Sequence, residues 1–157
     1  MTERCRALPT AEELRIWRDF IETTEVLRSE LAARLQSESA LSPGDYAVLL
    51  ALSETEGRRL RPSVLADRIG WQRSRLSHQL GRMERRGLLR REGFAADSRG
   101  AEVVLTDEGV EAFRRASLPH LRDVRELFVR PLGPDELAAA ERITAALRKG
   151  LTAGSDV

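Results

Sequence analysis

Residues 62–92 read PSVLADRIGWQRSRLSHQLGRMERRGLLRRE, and their spacing decides the fold. Pro62 suits the first position of a helix, where its missing N–H removes no intrahelical bond. Val64, Leu65 and Ile69 give that short helix, 62–69, an inward side, and Gly70 supplies a left-handed stop. A second helix is expected over 73–86, ending at Gly87. At 100° per residue, Leu76, Leu80 and Met83 fall within about 60° of one another and form its buried stripe. The opposite side carries Ser74, His78, Gly81 and Arg85, flanked by Arg75, Ser77 and Arg82. No acid lies there; Glu84 sits to the side, near the stripe. Beyond Gly87, LLRRE (88–92) and AEVVL (101–105) are strand-like, and GFAADSRG between them is a polar turn with glycine at each end. Two helices joined by a tight turn and followed by a hairpin make a winged helix-turn-helix, here residues 58–105.

The flanks are helical. Residues 11–36 repeat Leu14, Trp17, Phe20, Ile21, Leu27, Leu31 and Leu35 at threes and fours. Ser42-Pro43-Gly44-Asp45 is a helix start, with a capping serine, a first-position proline and an acid near the positive end of the dipole. The apolar helix it opens carries Tyr46, Val48, Leu49, Leu50 and Leu52 and ends before Gly57. Arg59-Leu60-Arg61 is a short extended piece. Thr106-Asp107-Glu108 starts a helix in which Pro119 should cause a kink or a division. Pro134-Asp135-Glu136 starts a last helix that carries Leu137, Ile143 and Leu147. The tail after Leu151 should fray. The fold class is therefore mainly α with a small β-hairpin wing, flanked by N- and C-terminal helices.

The chain has 157 residues, the size of one ordinary domain, and a formal charge of +1. That balance argues against a polybasic nucleic-acid binder only if charge is spread evenly. Residues 58–100 hold twelve arginines against four acids (Asp67, Glu84, Glu92, Asp97), a local +8, so the other 114 residues carry −7. Arginine abundance alone reflects base composition, but codon bias does not sort charges by position. No apolar run approaches the roughly 18 residues of a membrane span, and MTERCRALPT lacks a signal peptide's apolar core. The chain is expected to be cytoplasmic, associated with the nucleoid. One cysteine, Cys5, cannot staple the fold or build a cysteine-rich zinc site. No cofactor and no metal site is expected, and no phosphate loop or catalytic triad suggests an enzyme.

The outward side of helix 73–86 holds side chains that bond bases and phosphates: arginine forks onto guanine, and serine and histidine donate or accept. A polar helix face is ordinarily just a solvated face. Its coincidence with the +8 segment, the two-helix spacing and the hairpin favours double-stranded DNA. Gly81 in mid-helix costs about 0.8–1 kcal/mol against alanine, a cost that close approach of another surface would offset. Arg99, at the hairpin tip, can reach a narrow minor groove, where the potential is deepest. Asp97 can orient its guanidinium or bond the tip backbone.

At this point the residues match a family. LSPGDYAVLLALSE (41–54), LADRIGWQRSRLSHQLGRMERRGLLRRE (65–92), ADSRG (96–100) and VVLTDEG (103–109) resemble the MarR family of transcriptional regulators. The wing tip Asp97-x-Arg99-Gly100, followed by Leu105-Thr106-x-x-Gly109, is the more specific part. The resemblance implies one MarR-like domain over 1–157 and a homodimer whose helices 11–36 and 107–150 intertwine. It implies that Arg73, Ser74, Arg75, Ser77 and His78 face the major groove, that Ser63 and Arg82 touch phosphates, and that Arg99 enters the minor groove. Family members often cap the recognition helix with serine or threonine; Gln72 departs from this and caps less well. The negative terminal helices also carry more apolar side chains than one thin domain can hide.

The family resemblance further implies a small anionic or aromatic effector, for which Trp17, Phe20, Tyr46 and Leu50 can line a cleft. Core packing accounts for the same side chains equally well. Cys5 lies upstream of the first long helix with nothing to lower its pKa, so it is expected to be inert. His120 is expected to be an interface or surface histidine rather than a metal ligand. The leading expectation is a dimeric, sequence-specific repressor on a pseudo-palindromic operator. The alternative is a winged-helix protein-interaction module without specific DNA binding.

Overall fold

A computed structural model of the chain describes residues 8–94 and 97–153; for Phe94, Asp97, Ser98, Arg99 and Ala153 it describes the backbone alone. Six α-helices and a three-stranded antiparallel sheet appear among them. The helices are α1 (Ala11–Ser39), α2 (Pro43–Ser53), α3 (Pro62–Ile69), α4 (Arg73–Arg85), α5 (Asp107–Val124) and α6 (Pro134–Ala153). The strands are β1 (Arg59–Leu60), β2 (Leu89–Phe94) and β3 (Asp97–Leu105). Contacts divide the chain into two compact units. A central unit covers Ala32–Leu121, and a terminal unit holds the residues up to Leu31 and from Arg122 on.

In the central unit the caps form as the sequence dictates. Ser42 Oγ accepts from Asp45 N–H at 3.1 Å, Asp45 Oδ2 accepts from Ser42 N–H at 2.8 Å, and Pro43 begins α2. Gly70 ends α3 at φ 67 and Gly87 follows α4 at φ 74. Gln72 stands at the N-cap of α4 without a side-chain bond, so the helix starts at Arg73 uncapped. α3 buries Leu65 and Ala66 and packs Ile69 against the core, but Val64 is 47% exposed, not inward. An eight-residue helix has one buried stripe. Position 64 lies about 200° from Ala66 and 100° from Leu65, on the far side of it.

The wing is larger than expected. β1 joins it, in the order β1-β3-β2, with Leu60 opposite Val103 and Leu89 opposite Leu105. β2 and β3 extend past the apolar residues, through Gly93 and Gly100, with an irregularity between Glu92 and Phe94. Glu92 and Glu102 face one another, a like-charge pair that alone would be unfavourable. Arg59 Nη1 lies 3.5 Å from each carboxylate and offsets it.

The run Leu105-Thr106-x-x-Gly109 is a latch between wing and helix. Thr106 Oγ1 donates to Gly87 O at 2.6 Å and accepts from Gly109 N–H at 3.0 Å, capping α5. A Cβ at Gly109 would land on the Leu88 carbonyl, so only glycine lets α5 approach the end of the α4–β2 turn. α5 runs on through Pro119 to Val124 and is not divided by it. The proline removes one N–H, while buried Ala112 and Ala116 hold the preceding turns. The regular ladder changes further on, as a π segment over Arg125–Val129.

The terminal unit has no such core. Every buried hydrophobic among the described residues belongs to the central unit. Trp17 is 58% exposed, and Phe20, Ile21, Ile143 and Leu147 are exposed as well. α1 opens on a capping box in which Thr10 N–H donates to Glu13 Oε2 at 2.6 Å; that backbone bond holds the Glu13 carboxyl below the usual glutamate value. α6 is helical through Thr152 and Ala153; the frayed tail expected after Leu151 falls mostly on 154–157, outside the described residues.

Candidate nucleic-acid interface

α4 presents two chemically distinct sides. Leu76, Leu80 and Met83 are buried against α2, α3 and the sheet. Arg73, Ser74, Arg75, Ser77, His78, Arg82 and Arg85 are exposed. Of eight outward positions, seven named from the helical period and Arg73 from the family resemblance, all but one are thus on the surface of a single rigid element. The eighth is Gly81. A Cβ there meets nothing within 4 Å, so the chain's own packing does not require glycine at this place.

Arg75 is partly preorganised. Its guanidinium carbon lies 4.0 Å from the centroid of Trp71, a cation–π contact that limits its freedom. Ser63 lies half-buried in the first turn of α3, one residue after Pro62. The side chains of Asp97 and Arg99 lie outside the described residues, and so does Cys5; the backbone places 97 and 99 at the start of β3. On the back of α4, Glu84 Oε1 accepts from Arg91 N–H at 3.1 Å, tying the helix to β2.

The sequence reading missed a polar group inside the stripe. Gln79 is 5% exposed and donates through Nε2 to Asp45 Oδ1 at 2.6 Å. Asp45 Oδ2 also pairs with Arg86 Nη1 at 2.7 Å, and Arg86 Nη2 donates to Ala40 O at 2.7 Å. The signal was present: 76, 79, 80 and 83 follow the helical i, i+3, i+4, i+7 pattern, and a glutamine in it must find a buried partner. Gly44 permits this approach, because a Cβ there would stand 3.1 Å from Trp71 Cη2 and 3.2 Å from Gln79 Oε1.

The four side chains named for a ligand cleft fall in both units. Trp17 and Phe20 belong to the terminal unit. Tyr46 and Leu50 belong to the central one, where Tyr46 lies against Phe113 and His120 with ring centroids 5.4 and 4.5 Å away. The central unit also holds a groove of about 400 Å³, lined by Phe113, Leu118 and Leu121 with Arg58, Arg114 and Ser117. Among the described residues no group of histidine, cysteine or acid side chains is placed to hold a metal ion, and no helix is long and apolar enough to cross a membrane.

A helix-turn-helix with an exposed arginine-rich second helix and a three-stranded wing defines a winged-helix DNA-binding protein. Known proteins agree. The MarR family pattern matches residues 41–100. The transcriptional regulator HosA of Escherichia coli O157:H7 is 37% identical over 105 residues, 66% of this chain and 76% of that one. Sco3205, a MarR family transcriptional regulator from Streptomyces coelicolor solved in complex with DNA, is 36% identical with a TM-score of 0.86, covering 93% of this chain and 92% of that one. PcaV from the same organism, solved with its natural ligand, is 27% identical with a TM-score of 0.69, over 92% and 98% of the two chains. The chain belongs to the MarR family of DNA-binding transcriptional regulators, a family of regulators and not of enzymes.

Proposed function

We propose that the chain acts as a homodimeric repressor that reads a pseudo-palindromic operator. The observation that carries this is the exposed side of α4, which puts Arg73, Ser74, Arg75, Ser77 and His78 on one helix within the +8 segment and no acid among them. Those five read base edges in the major groove. Ser63 and Arg82 contact phosphates, and Arg99, oriented by Asp97, enters the minor groove. The exposed apolar side chains of α1 and α6 support the dimer, since a second copy would bury surfaces that this chain leaves in water. Residues 1–157 then form one functional domain in the cytoplasm, on the nucleoid.

In vitro selection from a random duplex library tests the reading. The expected product is a two-fold related motif with half-sites centred about one helical turn, roughly 10 bp, apart. A library that yields no enriched sequence would leave a protein-interaction module as the better account.

A small anionic or aromatic effector is the second part of the proposal. PcaV, a ligand-binding relative, and the groove with two arginines at an apolar wall support it. Trp17, Phe20, Tyr46 and Leu50 remain the contacts proposed from the sequence, although none of them lines that groove, and calorimetry with benzoate, a simple aromatic anion, at millimolar concentration checks the effector: a saturable heat is expected, and no heat would count against it.

A further inference from the structure

We propose that Asp45 and Gln79 form a buried relay that holds Arg82 in the orientation in which it meets a DNA phosphate, which makes Gln79 a positioning residue for DNA binding. The inference rests on the reading of Arg82 as a phosphate contact. The chemistry of the relay leaves no choice of direction. Asp45 lies in the first turn of α2 at 2% exposure, and as a carboxylate it only accepts. Its Oδ2 is taken by Ser42 N–H and Arg86 Nη1, at 2.8 and 2.7 Å, and its Oδ1 by Gln79 Nε2 at 2.6 Å. The Gln79 amide must therefore turn its NH₂ group toward Asp45. Its Oε1 then points the other way along α4, where it accepts from Arg82 Nη2, one turn on.

The relay starts from a fixed point. Ala40, at the turn between α1 and α2, has φ 55, a left-handed conformation that alanine adopts at a cost, and its carbonyl is held by Arg86. Gly44 lets Trp71 and Gln79 close on the same turn. Arg82 is an exposed side chain with rotamers to lose, so a preset acceptor lowers the entropy cost of each phosphate bond it makes. Apolar packing alone does not call for a glutamine at 79; Gln79 Nε2 supplies the donor that buried Asp45 Oδ1 needs, and the bond its Oε1 accepts from Arg82 comes in addition to that role.

A double-mutant cycle on the full chain tests this, using an operator selected from a random library as the probe and anisotropy as the readout. Arg82→Ala in the otherwise natural chain should weaken binding about tenfold, the scale of one charge-assisted contact. In a Gln79→Met background the same change should cost less than about twofold, because the arginine has already lost its position. Gln79→Met alone should lose nearly as much as Arg82→Ala. Equal losses from Arg82→Ala in both backgrounds would overturn the relay and leave Arg82 a phosphate contact. No loss from Arg82→Ala in the natural chain would remove that contact and the relay with it. The swap Asp45→Asn with Gln79→Glu reverses the donor and acceptor of the central bond and keeps an acceptor for Arg82. It serves if Gln79→Met does not fold. There the cycle should return to an Arg82→Ala loss of about tenfold, and an Arg82→Ala loss below about twofold would count against the relay.

Discussion

In the proposed function, single side chains carry the reading of sequence. Arg75 is an exposed residue whose guanidinium is stacked on Trp71, so it combines reach with restraint. Arg75→Ala should relax preference at one base pair per half-site, about 1–3 kcal/mol of discrimination, with little effect on other sequences. Competition among operator variants measures it. Gly81 separates folding from binding. Its Cβ position is open, so Gly81→Ala should raise stability by about 0.8–1 kcal/mol while weakening DNA binding if the sugar–phosphate backbone approaches there. A melting curve and a binding isotherm on the same variant give the two signs. A variant more stable and equally tight would remove Gly81 from the interface.

At the scale of elements, the latch and the buried carboxylate set where α4 sits. Gly109→Ala would drive a methyl into the Leu88 carbonyl and should cost roughly 1–3 kcal/mol in a urea titration, despite alanine's better helix propensity. Asp45→Ala should cost roughly 2–3 kcal/mol. This falls short of the ~3–5 kcal/mol of a fully buried pair because the Arg86 side chain is 42% exposed and stays solvated. These elements were unequally legible. Helix starts and stops are local chemistry, so Ser42, Pro43, Gly70, Gly87 and Thr106 could be read directly. The strands were underestimated because they run on through Gly93 and Gly100, which carry no apolar pattern, and because β1 joins them from outside the hairpin. Of the two outcomes expected at Pro119, division does not occur, since one missing N–H does not divide a helix held by buried alanines. The bond from Gln79 to Asp45 joins residues 34 apart, and no local spacing announces it. The outward positions of α4 were legible from the period alone; what presets Arg82 was not.

For the whole molecule, exposed apolar surface distinguishes the two units. The central unit folds around its own core and bears the basic helix; the terminal unit leaves Trp17, Phe20 and Leu147 uncovered. Light scattering should find two chains per particle at micromolar concentration, and a stable monomer would contradict the proposed dimer. The most direct test of the central claim is anisotropy of the full chain on a labelled duplex from its own upstream region, against a scrambled duplex of the same composition, across a range of salt. Tighter binding to the natural sequence by about 10³-fold or more is expected, with log K falling by about 0.9 per phosphate neutralised for each decade of salt. Equal affinity for both duplexes at every salt concentration would contradict sequence-specific reading by α4.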